Sequence, residues 1–235
     1  LKGNTTITSK IAIDGGTYEI ELNGYNLVAG GNFDLFDIKG SADITITGPG
    51  QVLGYTLINN RWGANAISCY DSDGESNITI NNATIIGGCV HKTAEATGYQ
   101  GEAGDAIVFK SKGALIINSS TISGGAGTAD ESLDGSYTGG GPTFAEGGIG
   151  LNLLQGTVKI NNSTINGGDS HFYNAGDAIN FSNGNGVTLI MDNSEVNGGS
   201  VTRPAAGGSY GIGGDAIAVT QNHKLADITI TNSQL

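Results

Sequence analysis

The chain has 235 residues, 41 of them glycine, and sets 10 basic residues against 22 acidic ones for a formal net charge of −12. That balance excludes nucleic acid as a partner, since phosphate binding needs a basic face, and it disfavours an anionic polysaccharide unless a cation mediates. No run of about 18 apolar residues is present, so direct membrane insertion by a helix is not expected, and no signal-peptide pattern stands out.

From the start of the chain, apolar residues alternate with polar ones. Ile11, Ile13, Tyr18, Ile20 and Leu22 follow this period, and Gly24-Tyr25-Asn26-Leu27 reads as a turn. Phe36-Asp37-Ile38 and Ile44-Thr45-Ile46 repeat the inward pairs before Gly48-Pro49-Gly50. Arg61-Trp62 lies in a connection, with the lone Trp either a lid over the repeat or a contact. Period two with β-branched residues predicts half-buried strands, and no stretch has a helical period.

A recurrent block then takes over. It reads ITINNATIIGG from Ile78, LIINSSTISGG from Leu115, VKINNSTINGG from Val158, LIMDNSEVNGG from Leu189 and, truncated, ITITNSQL from Ile228. Its inward slots hold Ile78, Leu115, Val158, Leu189 and Ile228, then Ile80, Ile117, Ile160, Met191 and Ile230. A preceding block places Ile67, Ile107, Leu151, Ile179 and Ile217 in one slot, with Cys69, Phe109, Leu153, Phe181 and Val219 two positions on. A third short strand carries Ile85, Ile122, Ile165, Val196 and Leu235. Asn82, Ser119, Asn162, Asn193 and Asn232 fall at the corner between the second and third strands. Asn tolerates the left-handed backbone of a sharp corner, and its amide can bond the amide one repeat away. Repeats of this kind bury their apolar faces only against each other. The pattern predicts an all-β solenoid, a parallel β-helix with three short strands per coil, spanning residues 1–235 as one domain. Because the chain opens and closes inside repeats, it reads as a piece of a longer secreted protein.

The Gly-Gly pairs at Gly87, Gly124, Gly167 and Gly198 are 37, 43 and 31 residues apart, and the surplus sits at one corner. It runs through residues 89–103, 126–146, 169–175 and 200–213, read as long loops along one flank, the usual place for binding in a repeat protein. They carry the unrepeated candidates for ligand contact: His91 and Tyr99, Tyr137 and Phe144, His171, Phe172 and Tyr173, Arg203 and Tyr210. Exposed aromatics suit stacking on a sugar or anchoring a protein. The competing reading folds them down over the loops' own underside. The short loop with Phe172 and Tyr173, set between longer ones, predicts a notch with these rings at its floor.

The Asp of the Gly-Asp-Ala-Ile block recurs at Asp105, Asp177 and Asp215. Asp177 and Asp215 fall on adjacent repeats, where two carboxylates repel. Three readings compete: a Ca²⁺ ion shared by Asp177 and Asp215, a turn residue that bonds backbone amides at every repeat, or a catalytic carboxylate. Repetition favours the turn, because a corner is needed each time. The two cysteines, Cys69 and Cys89, read as a buried thiol in the first case and leave a disulfide open.

The segments EIELNGYNL, DITITGPGQVLG and NITINNATIIGG resemble coil sequences of the pectate-lyase-like right-handed β-helix superfamily. The resemblance implies a right-handed fold, which lyases, glycosidases, phage tailspikes and bacterial adhesins share. The Gly-Asp-Ala-Ile blocks also resemble the Gly-Gly-Ala-Ile repeats of β-helical autotransporter passengers, with Asp in place of a Gly. The clustered Asp, His and Arg-x-Lys groups of pectin glycosidases are absent, as is the arginine base of pectate lyases, so no catalytic residue is assigned. The resulting expectation is a non-enzymatic binding module of a bacterial cell-surface adhesin that meets a glycan or a host or bacterial surface protein. The alternatives are a polysaccharide-active enzyme, its non-catalytic carbohydrate-binding relative, or a spacer.

Overall fold

Strand after strand returns to the same place one repeat later, and nearly every pairing is parallel. The computed structural model describes residues 1–59, 62–93, 101–130, 137–138, 141–142, 145–182, 186–203, 211–219 and 227–235, and among them there is no helix. The fold is all-β, with three principal parallel sheets.

The largest sheet holds two lanes side by side. In its first lane Phe36, Ile67, Ile107, Leu151, Ile179 and Ile217 stand in register, as do Ile38, Cys69, Phe109, Leu153, Phe181 and Val219. In its second lane Ile46, Ile80, Ile117, Ile160, Met191 and Ile230 form one column. Two strands, Ile107–Asn118 and Leu151–Asn161, run through both lanes without the break that the sequence suggests. The second sheet, seven strands long, stacks Leu27, Val52, Ile85, Ile122, Ile165 and Val196. Asn26–Ala29 is its second strand, so the turn expected over Gly24-Tyr25-Asn26-Leu27 is tighter and starts one residue earlier, at Asn23 and Gly24 with φ of 55° and 82°. These columns meet in one apolar core, with Ile80, Ile117, Ile160 and Met191 fully buried.

Between the second lane and the second sheet the chain turns through a left-handed residue in each repeat. Asn82, Ser119, Asn162, Asn193 and Asn232 have φ between 46° and 51°. These side chains are exposed, and Asn193 Nδ2 donates to Asn162 Oδ1 at 2.7 Å within this column. One residue earlier a second amide column has Asn118 Nδ2 donating to Asn81 Oδ1 and Asn161 Nδ2 to Asn118 Oδ1, each at 2.9 Å. One residue later a serine column does the same for the backbone. The hydroxyls of Ser120, Ser163 and Ser194 accept the amides of Ala83, Ser120 and Ser163, each at 3.1 Å. The Asn-x-Ser pattern is thus a corner signature.

The third sheet was not foreseen. Leu57–Ile58, Val90–Lys92, Gly127–Ala129, Ser170–His171 and Val201–Arg203 pair in order, and the last four occupy the starts of the segments read as loops. A return lane answers it, in which Gly101–Glu102 pairs with Ala145–Glu146 and single bridges join Trp62 to Glu102 and Ala145 to Phe172. Among the described residues, two of the excursions are out-and-back pairs of short strands and two others return through a single bridge, together a side lobe attached to the main one.

Glycines, with Ala64 at the start of the series, close the neck between the lobes. The amides of Gly88, Gly104, Gly125, Gly148, Gly168, Gly176, Gly199 and Gly214 donate in sequence to the carbonyls of Ala64, Gly88, Gly104, Gly125, Gly148, Gly168, Gly176 and Gly199, at 2.7–2.9 Å. The chain alternates between the outgoing and the returning arm, stitching them together along the rod. A Cβ on Gly148 would lie 2.1 Å from the Gly104 carbonyl oxygen, and one on Gly176 1.9 Å from that of Gly148.

Gly148→Ala should therefore lower the unfolding free energy by about 2 kcal/mol or more, comparable with the roughly 2–5 kcal/mol expected for emptying the core at Ile117→Ala. Gly3→Ala, where a Cβ meets nothing within 4 Å, should change it by less than about 0.5 kcal/mol. Urea melts of the three variants make the comparison, and equal small losses at Gly148 and Gly3 would refute the closed neck.

Candidate functional site

The outer face of the side lobe carries His91 and His171. In a strand alternate residues face opposite ways, so Val90 and Lys92 are buried while His91, between them, reaches the surface. Ile58, His91 and Thr128 stand in register, and Thr128 is followed by His171. After a shift in pairing, the backbone of Arg203 stands opposite His171. His91, Thr128 and His171, which the sequence scatters over separate loops, thus share one outward column.

The column is held in place by its own bonds. His91 Nδ1 lies 2.9 Å from Thr128 Oγ1, and its Nε2 lies 3.0 Å from Asp130 Oδ1. A proton on Nε2 faces the carboxylate and leaves Nδ1 to accept from the threonine hydroxyl. His171 Nδ1 accepts the Ala129 amide at 2.9 Å, which leaves the proton of the neutral ring on Nε2. Its ring meets Phe172 edge to face, with centroids 6.1 Å apart. One rung up, Asn59 and Thr93 exchange bonds of 2.6 and 2.8 Å.

Phe172 corrects an expectation. It is 1% exposed and packs with Ala129 and Tyr173 in a small core of the side lobe, so it does not present its ring at the floor of a notch. A φ of 73° at Phe172 turns the chain inward, and its bridge to Ala145 makes it part of the return lane. Tyr173 is half-buried against the same core. Tyr137 lies in a short antiparallel pair, Tyr137–Thr138 with Gly141–Pro142. Tyr99, Phe144 and Tyr210, and with them Arg61, lie outside the described residues. Trp62 is 57% exposed beside the return lane, where Glu102 and Glu146 stand in register.

The recurrent aspartates line the seam where the return arm enters the first lane. Asp34 Oδ1 accepts the Asn65 amide, Asn65 Oδ1 the Asp105 amide, Asp105 Oδ1 the Ile149 amide and Asp177 Oδ1 the Asp215 amide, at 2.8–2.9 Å. Each side chain caps the next repeat, which is the turn role. The other oxygen of Asp177 accepts from Asn180 Nδ2 at 2.7 Å. Among the described residues no group of three or more His, Cys, Asp or Glu is arranged to hold a metal. A Ca²⁺ ion on Asp177 and Asp215 would have to compete with these bonds and draw its other ligands from carbonyls and water. Cys69 and Cys89 are both free thiols. Burial above all pushes the Cys69 thiol up to about 12.

Burial, which outweighs the bonds from Asn152 and Ile149, pushes the Asp105 carboxyl up to about 6. Beside it the buried Oδ1 of Asn152 has no hydrogen-bond partner, while Asn152 Nδ2 donates to Asp105 Oδ2 at 2.9 Å.

No family model matches the chain, and neither a curated protein nor a solved structure shows significant similarity to it.

Two outcomes follow from this geometry. With a folded value near 6 against 3.8 unfolded, Asp105 keeps a proton that the unfolded chain has lost, so stability should rise as pH falls from 7 through 6 toward 4, by up to about 3 kcal/mol. Below that range Asp37, whose carboxyl is held low chiefly by its bond from Lys10, loses its own contribution on protonation. Asp105→Asn should flatten the rise and raise the melting temperature at pH 7. The neighbouring repeat already has Asn65 at this position, and an amide there can turn its N–H₂ toward the orphaned Asn152 oxygen. A variant with the same pH profile as the parent would remove Asp105 as its source. Phe172→Ala should cost about 3–5 kcal/mol in a urea melt, and a loss under about 1 kcal/mol would mean that its ring is not core.

Proposed function

We propose that the chain is the ligand-presenting part of a bacterial surface adhesin, a right-handed parallel β-helix exported to the cell surface that offers one flank to a glycan or a protein of another surface. The column of His91, Thr128 and His171, continued along the backbone to Arg203, carries this reading. Elsewhere the outward columns are dominated by Thr, Asn and Ser that bond to their own neighbours. On the side lobe, imidazoles and a hydroxyl are held at strand spacing along the rod, an arrangement suited to an extended ligand lying parallel to the axis.

The same geometry argues for binding over catalysis. His91 and His171 are separated by Thr128, hence by two rungs, or about 10 Å at a strand spacing of roughly 4.8 Å. Each ring nitrogen on the Asp130 and Ala129 side is already engaged. A general acid and base acting on one bond need to reach the same substrate atoms, and these rings do not. A second reading, a carbohydrate-active relative, draws support from exposed Trp62 beside the paired Glu102 and Glu146, since an aromatic face next to carboxylates suits a sugar ring.

A glycan and surface-protein binding screen, run with and without Ca²⁺, tests both. His91→Ala with His171→Ala should weaken the ligand found by at least tenfold while moving the melting temperature by no more than a few degrees. Undiminished binding would move the site off this column. Turnover of a polysaccharide that is lost in Glu102→Gln would replace the adhesin reading with the enzymatic one.

A further inference from the structure

On the outer face of the second sheet one column changes character along the rod. Val28, Leu53 and Ile86 stand in register, and the same column continues as Ser123, Asn166 and Asn197. The polar half is self-satisfied, with Asn166 Nδ2 donating to Ser123 Oγ and Asn197 Nδ2 to Asn166 Oδ1, each at 3.1 Å. Outward positions of a solvated sheet are expected to be polar, as they are there. The aliphatic half lacks that explanation, because Val28, Leu53 and Ile86 are only half-buried.

The switch coincides with a feature of the side lobe. The third sheet begins at Leu57–Ile58, so the earliest repeats have no described strand in that lane. The end of the lobe and the aliphatic column enclose a groove of about 630 Å³, walled also by Tyr55, Ala29 and Cys89. Thr6 and Thr56 are the hydroxyl-bearing exposed residues on its rim. Cys89 Sγ is tied by the Ala126 amide at 3.4 Å.

We propose that this groove is a binding site for one uncharged, elongated aliphatic molecule. Its volume falls within the roughly 300–1,000 Å³ of small-molecule sites. Eleven residues line it, against about 20–30 on each side of a standard protein interface. The walls are aliphatic along three consecutive rungs, the direction in which a methylene chain lies extended. The hydroxyls at the rim suit an alcohol or ester end. No Lys or Arg lines the groove to neutralise a carboxylate, and the net charge of −12 repels one.

Cys89 is a built-in reporter, since Cys69 is fully buried with its thiol pushed up to about 12. The test follows the rate at which iodoacetamide alkylates Cys89 in the intact chain, with 1-decanol as the probe and decanoate as the charged comparison. Decanol should slow alkylation at least tenfold in a saturable 1:1 manner, and decanoate should protect less. Ile86→Ser installs the residue type that the next repeat carries at Ser123, and Leu53→Asp places a charge on the wall. Both should abolish the protection without a change in the melting temperature. Absent protection at saturating decanol, or protection that survives both substitutions, would overturn the proposal. Protection that grows with protein concentration in the absence of decanol, together with a dimer in sedimentation, would also overturn it by making a second copy the occupant.

Discussion

Two backbones pass each other at the neck of every repeat with no room for a side chain between them. The hydrogen bonds from Gly88 through Gly214 join the outgoing and returning arms alternately, so each repeat is tied both to itself and to its neighbour. These glycines are required by proximity rather than by conformation, since none of them is among the residues with positive φ. Because the neck is closed by main chain, what is attached outside it can vary in length without disturbing what lies inside. Closing a longer loop costs little additional entropy, and intervals of 31, 37 and 43 residues between equivalent positions coexist in one register.

Inside the neck, burial does the stabilising. Five aliphatic and aromatic columns fill the main lobe, and the polar groups at its corners are paired by the amide and serine columns, so few of them are left without a partner. Among the described residues outside the neck, the separate apolar cluster is small, with Ala129 and Phe172 buried and Tyr173 beside them. The order of the side lobe is borrowed from the spine and from the pairing of strands two or three residues long. That arrangement gives the outward column containing His91 and His171 a fixed spacing while leaving the segments beyond it free to differ in sequence.

Much of the main lobe was legible because alternation with β-branched residues has one physical meaning, and the repeats could be aligned on it. Ile80, Ile117, Ile160 and Met191 were placed in one column from spacing alone. The left-handed corner was legible from Asn82 and Asn162, and the expected amide bond forms there between Asn193 and Asn162, while a second amide column runs through the preceding Asn81, Asn118 and Asn161. The side lobe was hidden because its strands are too short for alternation to register. A weaker signal was present: the third residue after each Gly-Gly pair is His91, Thr128, His171 or Thr202, preceded by Val90, Gly127, Ser170 or Val201. Phe172 was misplaced for a related reason, since burial in a lobe without a visible sequence period cannot be read from an aromatic residue alone. The turn reading of the recurrent aspartates holds at Asp105 and Asp177, whose side chains cap the next repeat as Asp34 and Asn65 also do, whereas the Ca²⁺ reading of Asp177 and Asp215 is left to the screen with and without that ion.

Amide hydrogen exchange resolved by residue tests the closed neck most directly. If the glycine spine joins the two arms as described, the N–H groups of Gly104, Gly125, Gly148, Gly168 and Gly176 should exchange as slowly as those of Ile80, Ile117 and Ile160, through global unfolding. Exchange of these glycines orders of magnitude faster than the core, with the core itself still protected, would show that the neck opens independently and would contradict the account.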